Sequence, residues 1–248
     1  MRPGKKKTVK KTVRKTAGKA VKKAGRKTRI LIVDDHPMMR EGLAHSINQE
    51  PDLTVCGEAR DAAEALAGIV RHRPDLVVTD ISLPGKGGLE LIKDLKARQP
   101  GLPVLVLSMH DESLYAERAL RAGASGYLTK AEAREKLLLA IRGVLGGQIY
   151  VSEKTSARIV GLFSGRPAPG GRALVGQLSD REFEVFQLFG QGLATQAVAE
   201  RLHLSPKTVE THRLGIKKKL DLGSAAELVA YAARWMAAEA GGAAPGQA

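Results

Sequence analysis

Between Arg29 and Leu145, short apolar runs alternate with amphipathic stretches, and this alternation constrains the fold more than any other feature of the chain. Arg29–Val33, Leu53–Ala59, Asp75–Thr79, Pro103–Leu107 and Ser125–Leu128 read as strands, rich in β-branched and aliphatic side chains. Pro37–Gln49, Asp61–Arg71, Gly88–Arg98, Asp111–Arg121 and Ala131–Leu145 carry apolar residues at helical spacing. Strands apolar on both faces need cover on both sides, and crossover helices supply it. The pattern predicts a five-stranded parallel sheet wrapped by helices, an α/β fold.

Gly146-Gly147 ends that unit. A short helix over about Glu153–Phe163 precedes Ser164-Gly-Arg-Pro-Ala-Pro-Gly-Gly171, which reads as a flexible linker. Four helical segments and no strand follow, and Gly241–Ala248 looks frayed. The expected divisions are a basic tail at 1–27, an α/β domain at 28–149, a linker with a short helix at 150–173, an all-α domain at 174–238, and a disordered end at 239–248.

The net charge of +14 is confined to one place. Of the 40 Lys and Arg side chains, 14 fall at or before Arg29 and none of the 26 acidic residues does, so the remaining 26 cations balance the 26 carboxylates. The tail's apolar stripe (Val9, Val13, Ala17, Val21) is too thin to hold a free helix against lysine repulsion. No apolar run is long enough to span a bilayer, no secretory core is expected, and Cys56 alone cannot form an internal disulfide. A cytoplasmic protein with no membrane association is the expectation.

Three carboxylates stand at strand ends: Asp34 and Asp35 after the first strand, Asp80 after the third. In the strand order 2-1-3-4-5 these strands are neighbours, and ligands gather at their carboxyl ends, where the order reverses. Clustered carboxylates repel one another and raise the pKa of at least one. Mg²⁺, which takes carboxylate, carbonyl and water oxygens, relieves this. Ser108 and Lys130, from the fourth and fifth strands, add the hydroxyl and ammonium that phosphoryl oxygens require. A single Asp after a strand is commonly a cap and a lone strand-end Lys commonly solvated, so the joint order carries the signal.

Asp34-Asp35, Asp80 with Leu83-Pro84-Gly85, Ser108-Met-His-Asp-Glu112 and Gly126-Tyr-Leu-Thr-Lys130 resemble the ordered landmarks of response-regulator receiver domains, over roughly residues 28–146. The resemblance implies a flavodoxin-like sheet and phosphorylation of Asp80 by a sensor histidine kinase. It also implies Mg²⁺ held by Asp35, Asp80 and the backbone carbonyl of Ser82, with Asp34 in support. Ser108 and Lys130 would hold the phosphoryl oxygens, and Tyr127 would turn inward with Ser108 on activation. Ser82 and His110 would flank the path of attack. Ser108 stands where Thr is commoner, a departure that keeps the hydroxyl.

In the C-terminal part, Ser179-Asp-Arg-Glu182 fits a capping box that opens a helix with Phe183, Phe186 and Leu188 inward. A short helix from Thr195 packs Ala197, Val198 and Leu202. Ser205-Pro206 then starts a helix whose buried stripe is Val209, Ile216 and Leu220. Joined by His203-Leu-Ser205, the two make a helix-turn-helix candidate. The second helix exposes Lys207, Thr208, Glu210, Thr211 and Leu214, with Lys217, Lys218 and Lys219 at its end. That set suits phosphates and base edges, though any one of these residues is more often a solvated helix face.

The string Leu178-Ser-Asp-Arg-Glu182, Val198-Ala-Glu-Arg-Leu202, Leu204-Ser-Pro-Lys-Thr-Val-Glu-Thr-His212 and Lys219-Leu220 resembles LuxR-type four-helix DNA-binding domains. The two halves together resemble NarL/FixJ-type response regulators. The resemblance implies a transcription regulator rather than an enzyme. Glu210, Thr211 and Leu214 would face base edges, and Lys207, Thr208, Lys217 and Lys218 would reach double-stranded DNA. The last helix, with Leu228, Val229, Tyr231 and Trp235, would pair two chains into a homodimer on DNA. Without phosphate the receiver would block the recognition helix. Two rivals are an aspartyl-phosphate phosphotransferase or phosphatase, and a constitutive nucleoid-type binder acting through the tail. Since the reader at 174–240 has eight basic and eight acidic residues, the tail is expected to add sequence-independent DNA affinity. Its signature is log K falling by about 0.9 per log salt unit for each phosphate contact.

Overall fold

The computed structural model describes residues 26–163 and 174–241. The lysine-rich segment through residue 25, the linker at 164–173 and residues 242–248 lie outside the described residues, and with them the expected disorder and tail–DNA contribution.

Strands β1 (Thr28–Val33), β2 (Leu53–Ala59), β3 (Leu76–Thr79), β4 (Val104–Ser108) and β5 (Gly126–Thr129) form one parallel sheet in the order β2-β1-β3-β4-β5. Every residue of β3 and β4 is buried, which is why these strands read as unbroken apolar runs. Helices α1 (Pro37–Asn48) and α5 (Ala133–Leu145) pack on one face through Leu43, Ile47, Leu137 and Ile141. Helices α2 (Ala62–His72), α3 (Gly88–Arg98) and α4 (Glu112–Ala122) cover the other. Local chemistry fixes their ends. Asp61 caps α2 by accepting from Glu64 N–H, Asp111 caps α4 by accepting from Ser113 N–H, and Gly123 closes α4 at φ 108°.

The sheet does not stop at β5. Tyr150 N–H donates to Ser125 O and Tyr150 O accepts from Tyr127 N–H, adding a parallel bridge to the open edge. Gly126 is required there, because a Cβ would lie 2.9 Å from Tyr150 Cβ and carbonyl oxygen. Residue 150, expected to begin the linker, is thus tied to the sheet because an unpaired edge strand takes up extended chain.

After α6 (Glu153–Phe163), helices α7 (Asp180–Gly190), α8 (Thr195–Arg201), α9 (Pro206–Leu220) and α10 (Ala225–Gly241) form the second unit. The capping box at α7 is complete: Ser179 accepts from Glu182 N–H and Glu182 accepts from Ser179 N–H. Such a cap stabilises a helix by about 1 kcal/mol. Ser205 caps α9 with Pro206 in its first turn. Phe183, Phe186, Val198, Val209, Ile216, Leu228 and Trp235 form the apolar centre. This centre is continuous with the core on the α2–α4 side of the sheet, so the two units share one apolar body.

Candidate functional site

The pocket lies at the carboxyl ends of β1 and β3. Asp34 and Asp80 are 2% and 3% exposed, and Lys130 arrives from the end of β5 with its Nζ 2.6 Å from a carboxylate oxygen of each. The other Asp80 oxygen, Oδ1, accepts from the backbone N–H of Ile81 (2.6 Å) and Ser82 (3.2 Å). Burial raises the pKa of Asp80, and the Lys130 ammonium works against that rise. For Lys130 burial opposes the charge, but Asp80 and Asp34 outweigh it and hold its pKa up. The repulsion expected among the carboxylates is therefore relieved in part by a lysine.

Asp35 completes the cluster. Its Oδ1 is buried and accepts no hydrogen bond among the described residues, although His36 Nδ1 lies 2.7 Å away. Oxygens of Asp34, Asp35 and Asp80 and a ring nitrogen of His36 fall within 4.8 Å of one another. Three hard carboxylates around an oxygen with no hydrogen-bond donor fit a small divalent cation such as Mg²⁺. His36 was not anticipated from the sequence; its position directly after Asp34-Asp35 was the available signal.

Gly88 keeps this loop in place. Its N–H donates to Ile81 O at 2.7 Å, and a Cβ there would lie 2.1 Å from Asp80 O and 2.7 Å from Ile81 Cα. Backbone atoms cannot step aside. Gly88→Ala is expected to cost about 1–3 kcal/mol in urea denaturation and to weaken Mg²⁺ binding by displacing Asp80. A variant with wild-type stability and Mg²⁺ affinity would contradict this.

Ser108 is fully buried, and its Oγ accepts from His110 N–H at 3.2 Å. Tyr127 is already inward, 1% exposed, with its hydroxyl donating to His110 O at 2.9 Å; burial pushes its pKa up. His110 Nε2 lies 2.8 Å from Ser82 Oγ, so the two residues expected to flank the path of attack bond each other. Burial, with the charges of Arg201 and Lys130, lowers the His110 pKa to about 4. The imidazole is neutral at neutral pH.

The recognition helix is α9, and its outer face is open. Lys207, Thr211 and Lys218 are exposed and Leu214 is 65% exposed, while Thr208, Glu210 and Lys217 are half-buried. The receiver does not cover this face, contrary to the expectation of a blocked helix. The docking contacts run instead through α7 and the helix-turn-helix turn, where His203, at φ 52°, brings Nε2 to 3.7 Å from Asp35 Oδ2. Glu210 is not free: it accepts from Thr195 Oγ1 at 2.8 Å and pairs with Arg213 at 2.5 Å, so Arg213 reaches the same face. Lys219 turns back to Glu182 at 2.6 Å. Thr208 is engaged with the Ser205 cap, and Thr211 Oγ1 donates to Lys207 O.

A strand-end acidic pocket with a buried lysine, on a doubly wound sheet joined to a helix-turn-helix bundle, defines a receiver fused to a DNA reader. Comparison with known proteins agrees. Residues 30–142 match the response regulator receiver domain, and residues 176–232 match the bacterial regulatory proteins of the luxR family. The chain is 40% identical over 203 residues to the transcriptional activator protein ExaE of Pseudomonas putida, covering 81% of this chain and 93% of that protein. It is 36% identical over 208 residues to the oxygen regulatory protein NreC of Staphylococcus haemolyticus, covering 82% and 96%. RcsB from Salmonella enterica serovar Typhimurium, solved bound to promoter rprA with a phosphomimetic, superposes with TM-score 0.56 at 26% identity, covering 84% and 99%. The chain belongs to the NarL/FixJ-type response regulators, DNA-binding transcription regulators of two-component systems rather than enzymes. No helix among the described residues is long and apolar enough to cross a membrane.

Proposed function

We propose that Asp80 accepts a phosphoryl group from a sensor histidine kinase in the cytoplasm, and that this controls pairing of two chains on double-stranded DNA. The observation that carries the reading is Lys130 Nζ held 2.6 Å from both Asp34 and Asp80, beside the buried acceptor of Asp35. An Asp80 oxygen forms the bond to phosphorus as the phosphorus–nitrogen bond to the kinase histidine breaks, and the imidazole leaves with the electron pair. The Ile81 and Ser82 N–H groups hold the other carboxylate oxygen. The Lys130 ammonium balances charge on the phosphoryl oxygens, and the Ser108 hydroxyl, at the end of β4, donates to one of them. Asp35 and Asp80, with the Ser82 carbonyl and with Asp34 in support, would hold Mg²⁺, which supplies charge neutralisation when bound.

On α9, Lys207, Thr208, Lys217 and Lys218 serve phosphates, while Glu210, Thr211 and Leu214 face base edges. Leu214 offers a thymine methyl contact, and Glu210 acts together with Arg213. The test compares DNA affinity with and without beryllofluoride and Mg²⁺, for wild type and Asp80→Asn. Wild type should tighten by about 5- to 150-fold and the variant should not respond. An unresponsive wild type, or a variant responding equally, overturns the reading.

A further inference from the structure

The densest positive charge in the chain is one that the phosphorylation reading does not use. Eleven Lys and Arg side chains, and no carboxylate, stand in residues 2–25, whereas beyond Arg29 the 26 cations and 26 carboxylates cancel. The reader is poor in unmatched charge. Of its eight basic side chains, Arg181 pairs with Glu184, Lys219 with Glu182 and Arg213 with Glu210. On α9 this leaves Lys207, Lys217 and Lys218 for phosphates, and each phosphate neutralised adds only about 0.9 to the salt slope of binding. A reader with so few contacts has little sequence-independent hold on a duplex.

The chain enters the receiver at a fixed point. Arg26 Nη2 donates to both carboxylate oxygens of Asp75 at 2.8 Å, and Arg29 N–H donates to Asp75 Oδ2 at 2.9 Å. The Arg29 guanidinium donates twice to His72 O, and Thr28 N–H donates to Asp52 O as β1 begins. This is the amino-terminal edge of the sheet. The acidic pocket is at the other edge, separated from it by the six residues of β1, about 20 Å. The Debye length at physiological salt is about 8 Å, so charge added at Asp80 is screened from this edge. From the Arg26 anchor, 25 residues reach at most about 85 Å, the length of about 25 base pairs.

We propose that residues 2–25 are a second DNA-binding site, one that grips the phosphate backbone without reading sequence and whatever the state of Asp80. The reader selects the position, and this segment supplies the attraction that a neutral reader lacks. Because both belong to one chain, engagement of either raises the effective concentration of DNA at the other. The same linkage favours DNA over other polyanions, since the reader brings a duplex within reach of the segment. Phosphorylation then alters the sequence-specific share of the affinity and leaves the backbone-bound share unchanged.

The test is binding to a random-sequence duplex between about 50 and 200 mM salt, at constant Mg²⁺, with and without beryllofluoride. It compares the full chain with a variant lacking residues 2–25, which keeps the Arg26 anchor and all of β1. If four of the eleven cations engage, the slope of log K against log salt falls by about 3.6 on deletion, and engagement of all eleven would lower it by about 10. A fall of about 3 or more, equal with and without beryllofluoride, is expected. An unchanged slope overturns the proposal. A fall confined to one of the two conditions also overturns it, since the segment would then answer to the switch. Replacing the eleven Lys and Arg with Gln keeps the length and should reproduce the deletion; a wild-type slope in that variant would mean that charge is not the cause. If the full chain binds vesicles of anionic phospholipid more tightly than the duplex at the same salt, the segment serves a membrane surface and the proposal fails.

Discussion

Replacing Lys130 with methionine is expected to lower the unfolding free energy by about 3 kcal/mol and to make Mg²⁺ a stronger stabiliser than it is for wild type. The Lys130 side chain is 3% exposed, and its two partners are 2% and 3% exposed. Methionine matches the stem but leaves two carboxylates facing each other with no ammonium, and an uncompensated buried charge dominates such a loss. Protonating one carboxylate recovers part of the energy, and a divalent cation recovers more, because the site already presents oxygens of Asp34, Asp35 and Asp80 within 4.8 Å. A cation bound tenfold more tightly adds about 1.4 kcal/mol of stability. Urea denaturation with and without excess Mg²⁺ reads both effects. A loss below about 1 kcal/mol, with equal Mg²⁺ increments in the two proteins, would mean that the lysine does not share its carboxylates with a metal. Beryllofluoride should also lose its effect on DNA binding, since no ammonium remains to balance the added oxygens.

The sheet was legible because its strands are buried on both faces and so show unbroken apolar runs. Boundaries moved by a residue or two for local reasons. The fourth strand was expected at Pro103 but begins at Val104; Pro103 has no N–H to give, although its carbonyl still accepts from Val77 N–H. Asp34, Asp35, Asp80 and Lys130 were legible as one cluster because each follows a strand, and parallel strands deliver their carboxyl ends to one edge; Ser108 is itself the last residue of the fourth strand.

Contacts between the two units were not legible. On α7 the sequence marks Phe183, Phe186 and Leu188 as inward and leaves the opposite side polar, yet Glu184 is buried there against Gly87 of the receiver. A helix pattern records whether a face is apolar, and a polar face buried by another domain looks like a solvated one. Arg118, Arg181 and His203 escaped notice for the same reason, since charged side chains on helix surfaces ordinarily face water. Their partners are 57 to 168 residues away in sequence: Arg118 reaches Val175, Arg181 reaches Gly85 O at 3.3 Å, and His203 reaches Asp35.

The interface should weaken as pH rises through neutrality, because of Glu184. This residue is 4% exposed, and its Oε1 lies 3.2 Å from where a Cβ on Gly87 of the receiver would stand. Burial raises its pKa to about 7; Arg181 at 2.5 Å opposes the rise, while Asp180 and Glu90 of α3 add to it. If undocking returns the carboxyl to its ordinary 4.5, the docked form binds the extra proton between pH 4.5 and about 7. Docking is then favoured on the acid side and lost as pH climbs through about 7. The full span amounts to about 3 kcal/mol, and the docking equilibrium should fall about tenfold between pH 6 and pH 8. Burial lowers the pKa of His212, on α9, so its proton is lost at lower pH. Fluorescence transfer between labels on α2 and α10 in Asp80→Asn measures the equilibrium. Glu184→Gln keeps the shape and removes the proton, so it should flatten the response; an unchanged pH profile in that variant would assign the effect to the histidines, which both proteins retain.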